Sequence, residues 1–528
     1  MPSVVLFASV VEHLIGEGAR RQARLDPEHV CALVKRRMGD SEWRFVAHGK
    51  SWSASAVSSL ILKTLVEDGA FASGELVRSA IITVPAYFGD EERRATVLAG
   101  TYAGLDVVDV LSEPIAAALA YGFGRLDGGM LLTKEASGGH ETVLVYDLGG
   151  GTFDATVIEL ADRRISVLAV DGDHQLGGAD WDERIALHLS RTFCAENPNA
   201  EDPLDDSAGA QEIVLAAERA KRELSDRDST QVVVAHAGAR STITLTRAEL
   251  EEMTSALLRR TLDLTRSCLA AAAKRGVDRV DRTLMVGGSS RMPMVEQALR
   301  TQLKLTPELH DPDLAVAKGA ALYGAKKELE RMVTSDLLTR GRLRDGDPLD
   351  DAAPDEVDAA CRRVGDAFGL PLAQVRRAVE VRVDTVVSRG FGVLAGNMMT
   401  GELEAVWLVH RNDRLPVRVR RSFGTVRTDQ DEIHLDVVEQ QGQAESPRAE
   451  DAKVLVGGVI QGIPPGYAEG SEVRVTFDMG FDGVLNVHVF HVDAGIPLEL
   501  TAQTGSTLSQ AEVAREREQL QRTRRRPT

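Results

Sequence analysis

Hydrophobic and polar positions change their spacing twice along the chain. From Met1 to about Glu330, short apolar runs alternate with stretches of helical period, the pattern of an α/β domain. Residues 80–84, ended by Pro85, predict a buried strand. Residues 90–103 predict a helix capped by Asp90, with Glu91 and Glu92 in its first turn. A strand at 107–111 and an alanine-rich helix at 115–121, opened by Pro114, come next. Residues 142–146, 155–160 and 165–170 predict three more strands, 212–224 and 247–274 long helices, and 283–286 another buried strand.

Between 332 and 377 the texture changes. Residues 345–351 (Asp-Gly-Asp-Pro-Leu-Asp-Asp) are acidic and turn-rich, and 355–379 predict two short amphipathic helices. After Val379 the period drops to two, at 417–420 and 433–437, and Asp482-Gly483 between 473–477 and 484–489 predicts a hairpin. An antiparallel β-sandwich is therefore expected after the α/β part, and then a short helix over 509–521.

Length and charge narrow the class. A chain of 528 residues is too long for one core. No apolar run approaches the ~20 residues of a membrane span, and the first residues lack the basic start of a signal peptide. The expectation is a cytoplasmic protein with no membrane partner. Cys31, Cys194, Cys268 and Cys361 lie far apart, with no Cys-x-x-Cys pair and no histidine spaced as a zinc ligand, as isolated thiols in a reducing compartment do. A net charge of −18 argues against nucleic acid as a partner. The basic run Arg522, Arg524, Arg525 and Arg526 reads as a solvated tail.

Candidate chemistry enters at Asp147-Leu148-Gly149-Gly150-Gly151-Thr152-Phe153-Asp154. A Walker-type loop runs into a helix and carries Gly-Lys-Ser/Thr. Here the residues after Asp154 are β-branched and alternating, so the turn leads into a strand. Gly149, Gly150 and Gly151 let backbone N–H groups converge on phosphate oxygens. Asp147 can hold a hydrated Mg²⁺, Thr152 supplies a hydroxyl and Asp154 a second carboxylate. The plain alternative is a tight hairpin without ligand, and the acidic residues at both ends weigh against it. The turn predicts a nucleotide site, ATP first.

Three further runs are equivocal singly. Gly177-Gly178 stands between a strand and a helix beginning near Asp180, as in any strand–helix turn. Gly287-Gly288-Ser289-Ser290-Arg291 precedes Pro293 at a helix start, where backbone can approach a nucleoside; a plain connection explains it equally well. Glu218, Lys221, Arg222 and Ser225 share one helical face, which periodicity alone assigns to solvent.

In this order and spacing the four runs resemble the nucleotide-binding domain of DnaK-type 70-kDa heat-shock chaperones, within the actin-like ATPase superfamily. Val84-Pro85-Ala86-Tyr87-Phe88 and the stretches 112–122 and 311–321 are close to that family's signatures. The resemblance implies ATP or ADP with Mg²⁺ as cofactors. It implies that Asp147 and Thr152 position Mg²⁺ (held by Asp147 through water) and the γ-phosphate, with Gly149, Gly150, Gly151, Gly177 and Gly178 around the phosphates. Glu218, Lys221, Arg222 and Ser225 would hold the nucleoside from one side. Gly287, Gly288, Ser289, Arg291 and Asp313 would hold it from the other. Lys35 matches the family's catalytic lysine, and Glu113 the residue that orders the attacking water.

The β part resembles, more loosely, the family's peptide-binding domain at 408–416, 462–465, 473–478 and 482–487. That implies unfolded or extended apolar polypeptides as partners, bound partly through backbone hydrogen bonds. A J-domain co-chaperone and a nucleotide exchange factor are implied as further partners. His488 and His491, three apart on a strand, face opposite sides, which sets a metal reading aside.

The implied organisation is an N-terminally truncated actin-like ATPase domain over 1–331 and an acidic, partly helical connection over 332–384. A β-sandwich substrate-binding domain over 385–505 follows, then a lid remnant and basic tail over 506–528. The family's first phosphate turn, Asp-Leu-Gly-Thr-Thr, has no counterpart after Met1. Either the true start lies upstream or the chain is a degenerate relative. Without that turn the sheet is expected to expose an unpaired edge. The apolar linker is at best 379–384, interrupted by charges, and the lid is reduced to 509–521. Two functions follow: an ATP-dependent chaperone that hydrolyses ATP slowly, or a non-hydrolysing nucleotide-binding scaffold descended from one. The sandwich disfavours an actin-like sugar or acetate kinase.

Overall fold

A computed structural model describes residues 1–124, 140–161, 164–345, 347–397, 400–442, 445–480, 485–501 and 510–526. The first sheet places β1 (Val4–Phe7) between β2 (Glu12–Ile15) and β3 (Val30–Ala32), antiparallel to both. Alternation on β1 decides what it buries. Val5 and Phe7 join a core with Trp52 and Phe88, while Leu6 packs with Leu14 and with Ala19 of α1 (Glu17–Gln22). The hairpin of β4 (Phe45–Ala47) and β5 (Lys50–Trp52) turns on His48 and Gly49, at φ 49° and 74°. A two-residue hairpin turn requires this left-handed backbone. In α2 (Ala54–Ser73), Ser53 caps the first turn by accepting from the Ala56 N–H.

Next, β6 (Ser79–Val84) and β7 (Asp106–Ser112) pair in parallel around α3 (Asp90–Tyr102), and α4 (Glu113–Gly124) follows. Gly89 is the cap of α3; Asp90 is its first helical residue and bridges Arg94 at 2.7 Å. The predicted buried strand over 80–84 is half-buried instead. Among the described residues β7 is the one strand partner of β6, and a groove of about 790 Å³ lines its other side, walled by Leu62, Leu65, Val77 and Ala320.

The central sheet is built on β8 (His140–Leu148), β9 (Phe153–Ala161) and β10 (Arg164–Asp173), an antiparallel meander buried on both faces. One face is covered by α5 (Gly178–Glu196), α6 (Ser207–Asp226) and the hairpin β11 (Ser229–His236)–β12 (Ala239–Thr246). The long helix expected over 247–274 is two, α7 (Arg247–Met253) and α8 (Ser255–Ala273). They break at buried Thr254, whose hydroxyl donates to Leu250 O at 2.6 Å and competes with the backbone ladder. Parallel to β8 runs β13 (Arg282–Val286), which leads through a tight turn into α9 (Pro293–Gln302); β14 (Pro307–Leu309) forms the sheet edge.

Helix α10 (Ala315–Thr339) packs on α4 and continues without a break past residue 331. The two predicted amphipathic helices are α11 (Pro354–Phe368) and α12 (Leu372–Glu380), whose apolar faces close on Leu329, Val333 and Leu337 of α10. The charged linker then adds a strand, β15 (Arg382–Asp384), in parallel to β10.

Among the described residues the sandwich has two four-stranded sheets. One contains β16 (Phe391–Gly396), β17 (Leu403–Val409), β19 (Glu432–Gln440) and β20 (Ala452–Gln461). The other contains β18 (Val417–Gly424), β21 (Glu472–Met479), β22 (Leu485–His491) and β23 (Ile496–Thr501). Val437, Phe477 and Val487 fill the space between them. The turn at Asp482-Gly483 lies outside the described residues, although β21 and β22 pair antiparallel as expected.

The last helix, α13 (Gln510–Gln521), packs on α2 in the first part of the chain, where a lid over the sandwich was expected. Glu516 accepts from the Ser53 N–H and Oγ–H at 2.9 and 2.7 Å, and Leu520 enters the core beside Phe7 and Trp52. The basic run is not a solvated tail: β24 (Arg524–Arg525) pairs with β2, and Arg525 bridges Asp68 at 2.6 Å.

Candidate nucleotide site

The glycine turn closes the β8–β9 pair, with Asp147 opposite Asp154 and Leu148 opposite Phe153. Inside it, the Gly149 N–H donates to Thr152 O at 3.0 Å. The second glycine run docks on the first. Gly178 N–H donates to Gly149 O at 2.9 Å, and Ala179 N–H to Gly150 O at 2.8 Å. A Cβ at Gly177 would lie 2.5 Å from the Gly151 carbonyl carbon, so the two backbones touch only because neither carries a side chain there. The third run joins at Gly287, at φ 80°, where a Cβ would meet Leu148 O at 2.4 Å. Ser289 lies against Gly178. Two stretches that were equivocal singly thus converge on one turn.

Charge concentrates beneath it. Lys35, on the 3₁₀ turn Val34–Arg37, donates to Glu113 Oε1 at 2.7 Å at the start of α4. Asp147 and Asp154 are 8% and 1% exposed. Burial, and then Glu113, push the Asp147 carboxyl up to about 7, with Lys35 opposing. Burial, Glu113 and Asp147 push Asp154 well above the usual carboxylate range, although it accepts from the Ala86 N–H at 3.1 Å. Burial works against the charge on Lys35, but the facing carboxylates outweigh it and its pKa is raised. Three carboxyl groups around one ammonium crowd acidic oxygen donors that hold protons in the absence of a further cation, and hydrated Mg²⁺ is a cation that suits such hard donors.

The two faces expected to flank a nucleoside are less uniform. Lys221 is buried, donates to Gly178 O at 2.7 Å and pairs with Asp182 at 2.8 Å, so it pins the second glycine run. Glu218 pairs with Arg20, and Ser225 Oγ donates to Lys221 O at 3.2 Å. Arg222 faces outward, its side chain 72% exposed. Opposite stand Gly287, Gly288 and Ser289, with Arg291 bridged to Asp313 at 2.5 Å. Sequence reasoning missed Arg36 and Asp182. Arg36 donates to Gly151 O at 2.7 Å and bridges Asp180 at 2.6 Å, clamping both glycine runs. Its one signal in the sequence was adjacency to Lys35.

The family model described as Hsp70 protein matches residues 1–338 and 387–526. The chain belongs to the Hsp70 family. The unmatched stretch 339–386 contains α11, α12 and β15. Membership carries a chaperone role in general and a nucleotide-binding ATPase domain, generally served by ATP or ADP with Mg²⁺. The family generally binds unfolded polypeptides and co-chaperones. No helix among the described residues is long and apolar enough to cross a membrane.

Proposed function

We propose that this Hsp70 chain is an ATP-dependent chaperone whose nucleotide state changes the affinity of its β-sandwich for unfolded or extended apolar polypeptides. In this reading residues 1–331 hold the nucleotide, 385–505 the polypeptide, and 332–384 connect them. The observation that carries it is the Lys35–Glu113 pair at 2.7 Å beside Asp147, beneath the glycine turn. Mg²⁺, when bound, supplies charge neutralisation to the phosphates. Asp147 holds it, the turn's N–H groups bind the phosphates, Lys35 offsets charge on the transferring group, and Glu113 orients water. Gly287 to Arg291 and the face of Glu218 flank the nucleoside.

Contacts between sandwich and ATPase part support coupling. Asn412 Oδ1 accepts from the Val170 N–H at 2.8 Å, and Arg411 pairs with Asp171 at 2.9 Å. Both lie on β10, the strand that leads into Gly177-Gly178. Ser388 donates to Phe88 O at 3.2 Å, two residues beyond the Ala86 that binds Asp154. A J-domain protein and an exchange factor are the partners this reading expects. Four separate thiols, three of them buried, fit a reducing, cytoplasmic setting.

One observation favours a second reading, a nucleotide-binding scaffold without turnover. The groove along β6 reaches Lys35 and Glu113, so the site is open on that side among the described residues. The test is ATP turnover of the purified chain together with the affinity of a fluorescent apolar peptide. Turnover lost in Lys35→Ala and Thr152→Ala, with peptide affinity that shifts on adding ATP, is the expected result. ATP binding without turnover supports the scaffold, and absence of peptide binding in every nucleotide state overturns the chaperone reading.

A further inference from the structure

Asp26, His29 and His48 come together where the Pro27–His29 turn meets the β4–β5 hairpin. Asp26 and His29 flank the short 3₁₀ turn Pro27–His29, and His48 is the first residue of the β4–β5 turn. One ligand-capable atom from each lies within 4.8 Å of the other two, and all three residues are half-buried. We infer that they form a binding site for a borderline divalent transition cation of the zinc class.

Hydrogen bonding decides which atoms are available. His48 Nε2 is 2.7 Å from Phe7 O. A carbonyl oxygen only accepts, so neutral His48 carries its proton on Nε2 and leaves Nδ1 bare. His29 Nδ1 is 2.6 Å from Asp26 Oδ1. A carboxylate also only accepts, so neutral His29 leaves Nε2 bare. Two bare imidazole nitrogens therefore stand beside a carboxylate. A carboxylate that orients a histidine through its second ring nitrogen is a recurring support of metal-binding imidazoles. Imidazole with carboxylate selects zinc and its neighbours over Mg²⁺ or Ca²⁺, which prefer oxygen alone.

The geometry also says what binding must change. The two rings stack with centroids 3.9 Å apart and planes 15° from parallel, so their in-plane lone pairs run side by side. Tetrahedral zinc, with bonds of about 2.0–2.1 Å, needs ligand atoms roughly 3.3 Å apart and converging. One ring must turn and the cluster must contract. His29 is the ring free to do so, because His48 is tied through Phe7 O and its left-handed turn. A bound ion held by His29 Nε2 and His48 Nδ1, with water in its remaining positions, would clip the β4–β5 hairpin and the Pro27–His29 turn to β1. His29 leads directly into β3 and then the Val34–Arg37 turn, so the clip braces the segment that presents Lys35 and Arg36. The inference stands apart from the nucleotide reading, since no residue is shared.

The experiment is titration of the metal-free full chain with Zn²⁺ against a chromogenic chelator, with thermal melts and the visible spectrum of the Co²⁺ form. One equivalent of Zn²⁺ should bind and raise the melting temperature, and Co²⁺ should give a tetrahedral absorption band. His29→Ala and His48→Ala should each abolish the band and the thermal shift, and Asp26→Asn should weaken binding by about tenfold or more. His434→Ala, an exposed histidine on the sandwich, should change nothing. If either ligand variant folds poorly by circular dichroism, His29→Gln and His48→Gln take its place. Failure to bind Zn²⁺, or binding of one equivalent that survives loss of both histidines, overturns the site.

Discussion

Asp147 and Asp154 stand directly opposite each other across the β8–β9 pair, at the neck of the glycine turn. Both are buried, and with Glu113 beside them their carboxyl groups are pushed upward, Asp147 to about 7. The native chain therefore keeps protons that the unfolded chain releases from about pH 4 upward. This contribution stabilises the fold at low pH and is lost as pH rises through about 7. Asp147→Asn should raise the melting temperature, by more at about pH 8 than at about pH 5. The same change should remove the Mg²⁺ dependence of nucleotide affinity. Calorimetry at the two pH values, with ATP titrations with and without Mg²⁺, checks both.

Lys35→Ala removes the cation that holds the Asp147 carboxyl down. Nucleotide affinity should change little, while turnover falls by roughly 10²–10³-fold. Residual turnover should need a higher pH than the wild type, because the Asp147 pKa rises further. A pH–rate profile of the two proteins decides it.

Gly177→Ala and Gly150→Ala should separate packing from phosphate access. At Gly177 the new Cβ meets Gly151 backbone at 2.5 Å, which cannot yield without displacing the turn. About 1–3 kcal/mol of stability should be lost along with nucleotide binding. At Gly150 nothing lies within 4 Å, so the melting temperature should hold while ATP affinity falls, because the methyl group stands where phosphate approaches. Thermal melts in the absence of nucleotide and ATP titrations distinguish the two.

Arg389 reaches from the sandwich to Glu92 of α3 and lies 3.4 Å from Glu439, which is 1% exposed. Burial pushes Glu439 up to about 7 against the pull of Arg389. Arg389→Ala removes the cation that Glu92 and Glu439 share and should cost roughly 3–5 kcal/mol. Adding Glu439→Gln should recover part of that loss. Urea denaturation of the single and double variants, with proteolysis of the connection over 381–388, measures it.

The tight turn between β8 and β9 was legible because it is local: three glycines between two alternating strands specify both backbone freedom and strand identity. The Gly177 and Gly287 runs had the same texture as ordinary connections, and only their convergence on Gly151 and Leu148 gives them a role. Lys221 lies on the predicted helical face, but periodicity assigned it to solvent, because its partners Gly178 and Asp182 come from a distant loop and helix. The break at Thr254 was hidden, since a threonine inside a helical pattern bonds its own backbone only in a particular local geometry. The basic run 522–526 read as solvated for want of a local partner; Val11, His13 and Asp68 supply one from the other end of the chain.

By itself the sequence determined the alternation of strands and helices, the change to period two after Val379, and the presence of a glycine turn with acidic residues at both ends. These are properties of neighbours in the chain, where side-chain periodicity and glycine content act directly on the backbone. Tertiary structure alone decided that Lys35 meets Glu113, that Arg36 clamps two glycine runs, and that α13 rests on α2. It also decided that Asp26, His29 and His48 share one corner. Each of these depends on distances between groups far apart in sequence, which packing sets and no local pattern encodes.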